Sequence, residues 1–109
     1  APLLLTGEPG VGFELAARFF HQPNTAWVMP TKPEQIADAP LDLLQKANQG
    51  VLFLPEIGSH SRRVQQGLLF LLSKLDRYNV RLVCACSRPL HEMMADVDYD
   101  KRLLTALSG

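Results

Sequence analysis

Short apolar runs and amphipathic segments alternate along this chain of 109 residues. Apolar runs of four to seven residues that end in turn-forming residues are typical of buried strands. Such runs predict strands over residues 2–6, 26–29, 51–54 and 80–86. Residues 51–54 are apolar at every position, which predicts a strand covered on both faces at the centre of a parallel sheet.

The segments between these runs have helical spacing. They predict helices over residues 13–21, 41–48, 62–75 and 100–107, a further helix that opens at residues 87–89, and one helical turn around residues 33–37. Ser61 is expected to cap the helix that follows it, and Gly50 to end the helix before it. Strands that alternate with helices predict an α/β fold, a parallel sheet wrapped by helices on both sides.

Composition limits the classes of protein to consider. Hydrophobic residues make up 47% of the chain and charged residues 20%, as in a globular domain rather than a disordered one. The formal net charge of +0 argues against a broad surface for nucleic acid or acidic membranes. No apolar stretch approaches the roughly 20 residues that a membrane helix needs, and no signal peptide is evident. We expect a cytoplasmic protein, of which this chain is a segment.

The two cysteines, Cys84 and Cys86, lie two positions apart in the last predicted strand. Residues at i and i+2 of a strand face the same way, and so close a pair seldom forms a disulfide. No further ligand stands at metal-binding spacing nearby, so we expect no metal site. Both are interpreted as small buried side chains of a protein in a reducing compartment.

A glycine-rich segment joins the first strand to the first helix, the context in which a glycine pattern suggests phosphate binding. Glycines let successive N–H groups and the helix N-terminus face one anion. The usual loop continues with Lys and then Ser or Thr, whereas this one has Phe13 and Glu14. Two interpretations stay open: a loop that still meets phosphate weakly, and a loop that only turns the chain. The segment consists of Gly7, Glu8, Pro9, Gly10, Val11, Gly12, Phe13 and Glu14.

Phe13 stands where the usual loop has the lysine that faces the outer phosphates of a nucleotide. A phenyl ring has neither charge nor donor, and loss of such a charge-assisted contact costs at least about 1.5–3 kcal/mol. The first helix is expected to bury Leu15, Ala16 and Phe19 or Phe20 against the sheet, which places Phe13 beside the phosphate cradle. We expect its ring to fill that cradle. The alternative is an exposed Phe13 at a contact with another protomer.

A second candidate site follows the strand over residues 51–54. Nucleotide hydrolases have an acidic pair here: the first acid holds Mg²⁺ and the second polarises the attacking water. In this chain the first position is Pro55, which has no side-chain oxygen, and the second is Glu56. Glu56 can still accept a hydrogen bond, and a solvated or capping carboxylate is the equally simple alternative.

Three motifs together resemble the AAA+ domain of bacterial enhancer-binding proteins, the activators of sigma-54 RNA polymerase. Residues 7–14 match that family's GESGTGKE, including the glutamate after the lysine, and residues 15–21 match LVARAIH. Residues 49–58 resemble GGTLFLDEIG, and residues 80–90 resemble VRVIAATNRDL. The resemblance runs from residue 3 to about residue 107. It implies the α/β subdomain of a P-loop NTPase of the AAA+ type, without its lid.

Several departures from the family pattern bear on activity. Phe13 replaces the phosphate lysine, Pro55 replaces the Mg²⁺ aspartate, and Ser87 replaces the sensor asparagine. The GAFTGA loop, which grips the sigma factor in this family, has no counterpart in residues 30–48, and the hairpin before the sensor strand is cut to residues 76–79.

The arginines that this family supplies to the neighbouring protomer's nucleotide are a further departure. The family's FREDLYYRL aligns with residues 99–107, so that its arginine positions fall on Asp100 and Ala106. Arg102 lies close enough to leave the alignment of this segment open.

With these departures, the resemblance implies that residues 1–109 are a catalytically degenerate AAA+ module of a bacterial transcriptional regulator, of the two-component response-regulator type. The lid, receiver and DNA-binding domains are expected outside this segment. We expect no ATPase activity, with Glu56 as a remnant, and no cofactor, weak binding of ATP or ADP being left open.

Expected partners are other protomers or the flanking receiver domain. We expect DNA to be bound only through a separate domain, and no contact with membranes or with sigma-54. Two alternatives stay open: an active ATPase that remodels sigma-54 RNA polymerase, and a sensor that binds nucleotide without hydrolysing it.

Overall fold

Four parallel strands form the single sheet of the computed structural model, which describes residues 2–108. The strands are β1 (Leu3–Thr6), β2 (Trp27–Val28), β3 (Val51–Leu54) and β4 (Arg81–Cys86). They lie in the order β1-β4-β3-β2, so β3 is an inner strand and all four of its residues are buried. The predicted α/β fold and the central position of this strand are confirmed.

Six helices connect and cover the strands within residues 2–108. They are α1 (Phe13–Ala17), α2 (Glu34–Asp38), α3 (Pro40–Ala47), α4 (Arg62–Lys74), α5 (Leu90–Ala95) and α6 (Lys101–Ser108). Turns of 3₁₀ helix follow α1 at Arg18–Phe20, β3 at Ile57–Ser59 and α4 at Leu75–Arg77. Ser61 caps α4 as predicted, because its Oγ accepts a hydrogen bond of 3.3 Å from the Val64 N–H. None of the helices in this part of the chain is long and apolar enough to cross a membrane.

The two faces of the sheet are covered unequally. One face carries Leu52, Leu54, Cys84 and other residues into a large core to which α2, α3, α4, α5 and α6 all contribute. The opposite face presents Val51, Phe53, Val83 and Ala85, which pack with Ala17 of α1. The alternation along β3 and β4 follows from the period of a strand, whose successive side chains point to opposite faces. Both cysteines are free and buried on the larger side, as the spacing predicted.

The buried side of α1 differs from the expectation. Ala17 is fully buried and Phe13 is half-buried, whereas Leu15 is 73% and Phe19 87% exposed. Positions 13 and 17 lie one helical turn apart on the same side of α1, and position 15 lies on the opposite side. Phe19 belongs to the 3₁₀ turn that follows α1. The expectation that the first helix buries Leu15, Ala16 and Phe19 or Phe20 was wrong for Leu15 and for both phenylalanines, since Phe20 is also 39% exposed, whereas Ala16 is half-buried.

Gly50 does not have the predicted capping role. The helix α3 ends at Ala47, and the left-handed residue after it is Gln49, with φ of 66°. Gly50 is required for another reason, since a Cβ there would lie 2.1 Å from the carbonyl oxygen of Ala26. This close approach lets the Val51 N–H donate to the same carbonyl at 2.9 Å as β3 begins beside β2.

Candidate functional site

The candidate residues meet at the carboxyl ends of three neighbouring strands. Thr6 pairs with Cys86, and Leu54 pairs with Cys84, so β1, β4 and β3 end at one edge of the sheet. The glycine-rich loop leaves β1 there, Glu56 follows β3, and Ser87 follows β4. Ligands of open α/β sheets bind in crevices at this edge.

The glycine-rich loop uses left-handed backbone at two positions. Gly10 has φ of 84° and Gly12 has φ of 87°, values that residues with a side chain rarely adopt. Gly12 is the residue that caps α1, and its carbonyl accepts the Ala16 N–H at 3.0 Å. The loop is exposed to solvent through Gly12, and Glu14 in the first turn of α1 pairs with Arg18 at 3.4 Å. The glycines therefore build the turn that the sequence predicted.

The ring of Phe13 lies against the start of this loop. A Cβ built on Gly7 would be 3.6 Å from two ring carbons of Phe13 and 3.3 Å from Val11 Cγ2. The ring is half-buried and also packs against the face of the sheet that carries Phe53 and Val83. Phe13 thus joins the loop to the smaller core, where the usual loop has a lysine directed at phosphate.

Both oxygens of the Glu56 carboxylate are engaged by neighbouring backbone and side-chain donors. One oxygen accepts hydrogen bonds from the Ser87 N–H at 2.9 Å and from the Ser87 hydroxyl at 2.6 Å. The other accepts the Gly58 N–H at 3.0 Å. Burial acts to raise the pKa of Glu56, but the bonds from Ser87 and Gly58 outweigh it and lower that pKa. Pro55 beside it is exposed and adds no side-chain oxygen.

His60 lies close to this carboxylate and was not predicted from the sequence. Its side chain is buried, and its Nδ1 has no hydrogen-bond partner among residues 2–108. Burial lowers the pKa of His60, and the charges of Glu56 and Glu34 oppose that effect only in part. The neutral imidazole is therefore the form that the fold favours. The sequence feature that could have indicated His60 is its position four residues after Glu56.

Arg88 is held by the protein itself. Its guanidinium donates to the Gly58 carbonyl at 3.2 Å and to the Asp96 carboxylate at 2.9 Å. Hydrogen bonds from the Asp98 N–H and from Arg88 lower the pKa of Asp96. The buried hydroxyl of Tyr99 donates to the Ile57 carbonyl at 2.8 Å, and burial raises its pKa. These contacts, which the sequence did not predict, fix the turn after β3 to the segment before α6.

Residues 99–107, which align with the family's FREDLYYRL motif, lie at the start of α6 and along it. Asp100 stands just before this helix and Ala106 is exposed near its end. Arg102 forms a two-pronged contact with Asp100, Nε to Oδ1 at 3.1 Å and Nη2 to Oδ2 at 2.8 Å. The Arg102 side chain lowers the pKa of Asp100, and Asp100 raises that of Arg102.

A cleft of about 400 Å³ opens between residues 6–8 of β1 and its loop and residues 86–91 after β4. It is the place at this edge where a small ligand would fit. A Mg²⁺–nucleotide needs a cation at the loop and an acid for the metal, and positions 13 and 55 supply neither. Within residues 2–108, no three His, Cys, Asp or Glu side chains converge as metal ligands.

The connections around the sheet are short. Residues 29–33 join β2 to α2, one residue separates α2 from α3, and residues 48–50 lead into β3. Residues 78–80 alone separate the 3₁₀ turn after α4 from β4. The described chain therefore has no long loop at the two places where the resemblance would put insertions.

A comparison with protein families matches residues 1–109 to the family described as the Sigma-54 interaction domain. Among curated proteins, the anaerobic nitric oxide reductase transcription regulator NorR of Serratia proteamaculans is 29% identical over 97% of this chain and 27% of that protein. The nitrogen fixation protein AnfA of Azotobacter vinelandii is 30% identical over 99% of this chain and 26% of that protein. The chain spans about a quarter of the length of these relatives.

The alignment with NorR also shows how many residues of the relative have no counterpart in this chain. It runs over 139 positions, yet 97% of a 109-residue chain is about 106 residues. About 33 positions of the relative therefore have no counterpart here. This agrees with the short connections around the sheet.

Solved structures with the same fold include NtrX of Brucella abortus in complex with ATP. It matches with a TM-score of 0.78 at 23% identity, over 98% of this chain and 31% of that one. The P-loop NTPase domain of a sigma-54 transport activator from E. coli matches with a TM-score of 0.68 at 25% identity, over 95% of this chain and 88% of that one. The predicted P-loop NTPase fold is confirmed.

Proposed function

Because this chain belongs to the Sigma-54 interaction domain family, we propose that it is a regulatory AAA+ module that acts through protein contacts without hydrolysing ATP. The parent protein would be a bacterial transcriptional regulator, of the two-component response-regulator type. The observation that carries the proposal is the ring of Phe13, packed between Gly7 and the sheet where phosphate-binding loops have a lysine.

The residues present do not fit a Mg²⁺–nucleotide. Phosphoryl transfer depends on positioning and on charge stabilisation by the loop lysine, the metal and its carboxylate ligand. Phe13 removes the cation and Pro55 removes the metal ligand. The remaining acid, Glu56, accepts three hydrogen bonds from Ser87 and Gly58, which leaves its oxygens committed to the protein.

The partners proposed are other protomers or a flanking receiver domain, with DNA bound through a separate domain. NorR is described as a transcription regulator, and TyrR of Salmonella typhimurium, 29% identical over 86% of this chain, as an HTH-type transcriptional regulatory protein. Within residues 2–108 the connections after β2 and before β4 are short, which supports the absence of a loop that contacts a sigma factor. We therefore propose that the parent protein works independently of sigma-54.

A nucleotide sensor that binds without hydrolysis is the second candidate. It is favoured by the left-handed Gly10 and Gly12, which keep the loop turn, and by the cleft of about 400 Å³ beside it. Backbone N–H groups of such a loop can meet an anion without a lysine.

One experiment separates these candidates from an active ATPase. ATP and ADP are titrated into the protein with and without Mg²⁺ by calorimetry, and phosphate release is followed over a range of protein concentrations. The proposal expects neither turnover nor Mg²⁺-dependent binding, and Phe13→Lys alone should not restore turnover because Pro55 remains. NtrX of Brucella abortus, solved in complex with ATP, is the positive control for nucleotide binding.

The outcomes differ for each alternative. Binding without turnover would favour the sensor. Turnover by the unmodified chain that disappears in Glu56→Gln would overturn the proposal. A stable complex with sigma-54, trapped with a transition-state mimic of the nucleotide, would contradict the independence from sigma-54.

A further inference from the structure

Two sulfur atoms meet at the end of β4. The Sγ of Cys86, the last residue of this strand, lies 3.4 Å from the Sδ of Met93 on the following helix, α5. Both side chains are buried, and Cys86 is also one of the residues that line the cleft of about 400 Å³ beside the glycine-rich loop. The sulfur pair therefore lies in the core, with one of its two members at the wall of a cleft that opens to solvent.

The surroundings of the Cys86 thiol leave the sulfur contact without a proton of its own. The thiol has one proton, and the Arg88 carbonyl oxygen, 3.3 Å from Sγ, is an acceptor for it. When the thiol donates to that carbonyl, the lone pairs of the two sulfurs face each other, an arrangement that a shared cation would stabilise. A Cβ at Gly58 would lie 3.0 Å from the same Sγ, so glycine keeps this side of the sulfur free of side-chain atoms.

The chemistry of the pair selects a class of ligand. A thiolate and a thioether are preferred by soft metal ions, Cu(I) among them. With metal–sulfur bonds of about 2.3 Å, as in zinc–thiolate sites, one ion can contact two sulfurs that are 3.4 Å apart. Met93 has three rotatable bonds that let its sulfur adjust to the ion. No three His, Cys, Asp or Glu side chains converge within residues 2–108, so the thioether is the second ligand.

Charge favours a monovalent ion at this site. Burial raises the pKa of the Cys86 thiol, and the charge of the nearby Glu56 carboxylate adds to that effect, so the free thiol keeps its proton. When Cu(I) binds, the S–H bond breaks, an S–Cu bond forms and the proton passes to solvent, while the copper stays in the same oxidation state. A thiolate and a monovalent cation together carry no net charge, so the bound form avoids the cost of an unpaired buried charge.

We propose that Cys86 and Met93 form a binding site for a soft monovalent cation, Cu(I), which enters through the cleft. A bound ion would connect α5 to the end of β4, immediately before Ser87, and would give the module a ligand-bound and a ligand-free state. The proposal goes beyond the contact function and does not depend on it, because neither Phe13 nor Pro55 belongs to the sulfur pair.

Competition with the coloured complex of Cu(I) and bicinchoninate, titrated into the chain without oxygen, tests the proposal. The unmodified chain should withdraw one Cu(I) per chain from the complex and develop the ultraviolet charge-transfer band of a copper–thiolate bond. Ag(I), a soft monovalent ion that is not readily oxidised, should compete for the same site.

Neighbouring residues of the same type provide matched controls. Met93→Leu removes the thioether at nearly constant volume and should weaken Cu(I) binding by about tenfold or more, since even outer-shell partners of a metal change its affinity by about 10–100-fold. Met94→Leu should leave binding unchanged, because Met94 is 66% exposed. Cys86→Ala should weaken binding by at least about a hundredfold, whereas Cys84→Ala, which removes the other thiol of the strand, should retain the site.

Three results would overturn the proposal: no withdrawal of Cu(I) from bicinchoninate, equal affinities of Met93→Leu and Met94→Leu, or equal losses in Cys84→Ala and Cys86→Ala. The second result would show binding to a thiol without the thioether, and the third would assign the ion to the two cysteines. Far-UV circular dichroism verifies that each variant is folded, and Met93→Leu decides the matter if Cys86→Ala is not. Turnover of ATP by a chain that also binds Cu(I) would overturn the non-hydrolytic function and leave the metal site standing.

Discussion

The hydroxyl of Ser87 donates to the carboxylate of Glu56 across 2.6 Å, which joins the ends of β4 and β3. The Ser87 N–H donates to the same oxygen at 2.9 Å. A hydrogen bond to an ionised group contributes more to stability than one between neutral groups. Glu56 thus connects the ends of two adjacent strands through its hydrogen bonds with Ser87.

Loss of the hydrogen bonds to the Glu56 carboxylate should lower the stability of the chain in a pH-dependent way. Glu56→Gln should reduce the free energy of unfolding at neutral pH by about 1–3 kcal/mol, because the ionised acceptor is lost. Since the folded state lowers the pKa of Glu56 below its ordinary 4.5, the stabilisation is present above that pH and is lost as pH falls further, through the folded-state pKa. Urea unfolding of the variant and the unmodified chain at several pH values measures both effects.

Ser87→Ala should cost less, about 1 kcal/mol, because two N–H donors remain on the carboxylate. The exposed Glu92 of α5 provides the control substitution Glu92→Gln. Equal stability of Glu56→Gln and Glu92→Gln at neutral pH would show that the ionised Glu56 carboxylate contributes nothing to the free energy of unfolding.

Phe13 at the start of α1 and Phe19 in the 3₁₀ turn that follows it provide a matched pair. Phe13→Ala should destabilise the chain by about 1–3 kcal/mol, since it removes a half-buried ring from the smaller core. Phe19→Ala should change the stability of the monomer little, because its ring is exposed. Denaturant unfolding at low protein concentration measures both variants.

Phe13→Lys should be destabilised similarly, and added ATP should not restore its stability if Pro55 has removed the metal site. Unchanged unfolding of Phe13→Ala would refute the structural role of the ring.

His60 should make stability fall in mildly acidic solution. Its pKa is lowered in the folded state by burial, while the unfolded chain titrates near 6.5. As pH falls below about 6.5 the unfolded state takes up a proton that the folded state resists, so stability decreases until the folded-state pKa is passed. In His60→Gln this slope should be absent, whereas the exposed His91→Gln should retain it. Parallel pH profiles for the two variants would contradict the prediction.

Gly67 lies where the backbones of α4 and α2 approach each other closely. A Cβ at this position would lie 2.6 Å from the Ile36 carbonyl oxygen and 2.7 Å from Ala37 Cα. Gly67→Ala should therefore destabilise the chain by about 1–3 kcal/mol through displaced backbone, although helix propensity alone favours Ala by about 1 kcal/mol. Ala106→Gly on the exposed side of α6 measures the propensity effect by itself. A Gly67→Ala variant more stable than the unmodified chain would show that α2 moves aside without loss of stability.

The sequence by itself determined the local elements and the kind of fold. The apolar run of β3, the helical spacing of α4 and the Ser61 cap are local patterns, so they are readable without knowledge of the partner segments. The glycine loop after β1 was equally evident. Its match to known motifs identified the family, because order and spacing along the chain carry that information.

Only the tertiary structure decided which residues meet. The strand order β1-β4-β3-β2 brings Glu56 within hydrogen-bonding distance of Ser87, which lies 31 residues further along the chain. The packing of α1 on the sheet buries Ala17 and leaves Leu15 exposed, although leucine is the more hydrophobic residue. The close approach of the Ala26 backbone requires glycine at position 50. These features depend on close approach between distant backbone segments, and such contacts leave no periodic signal in the sequence.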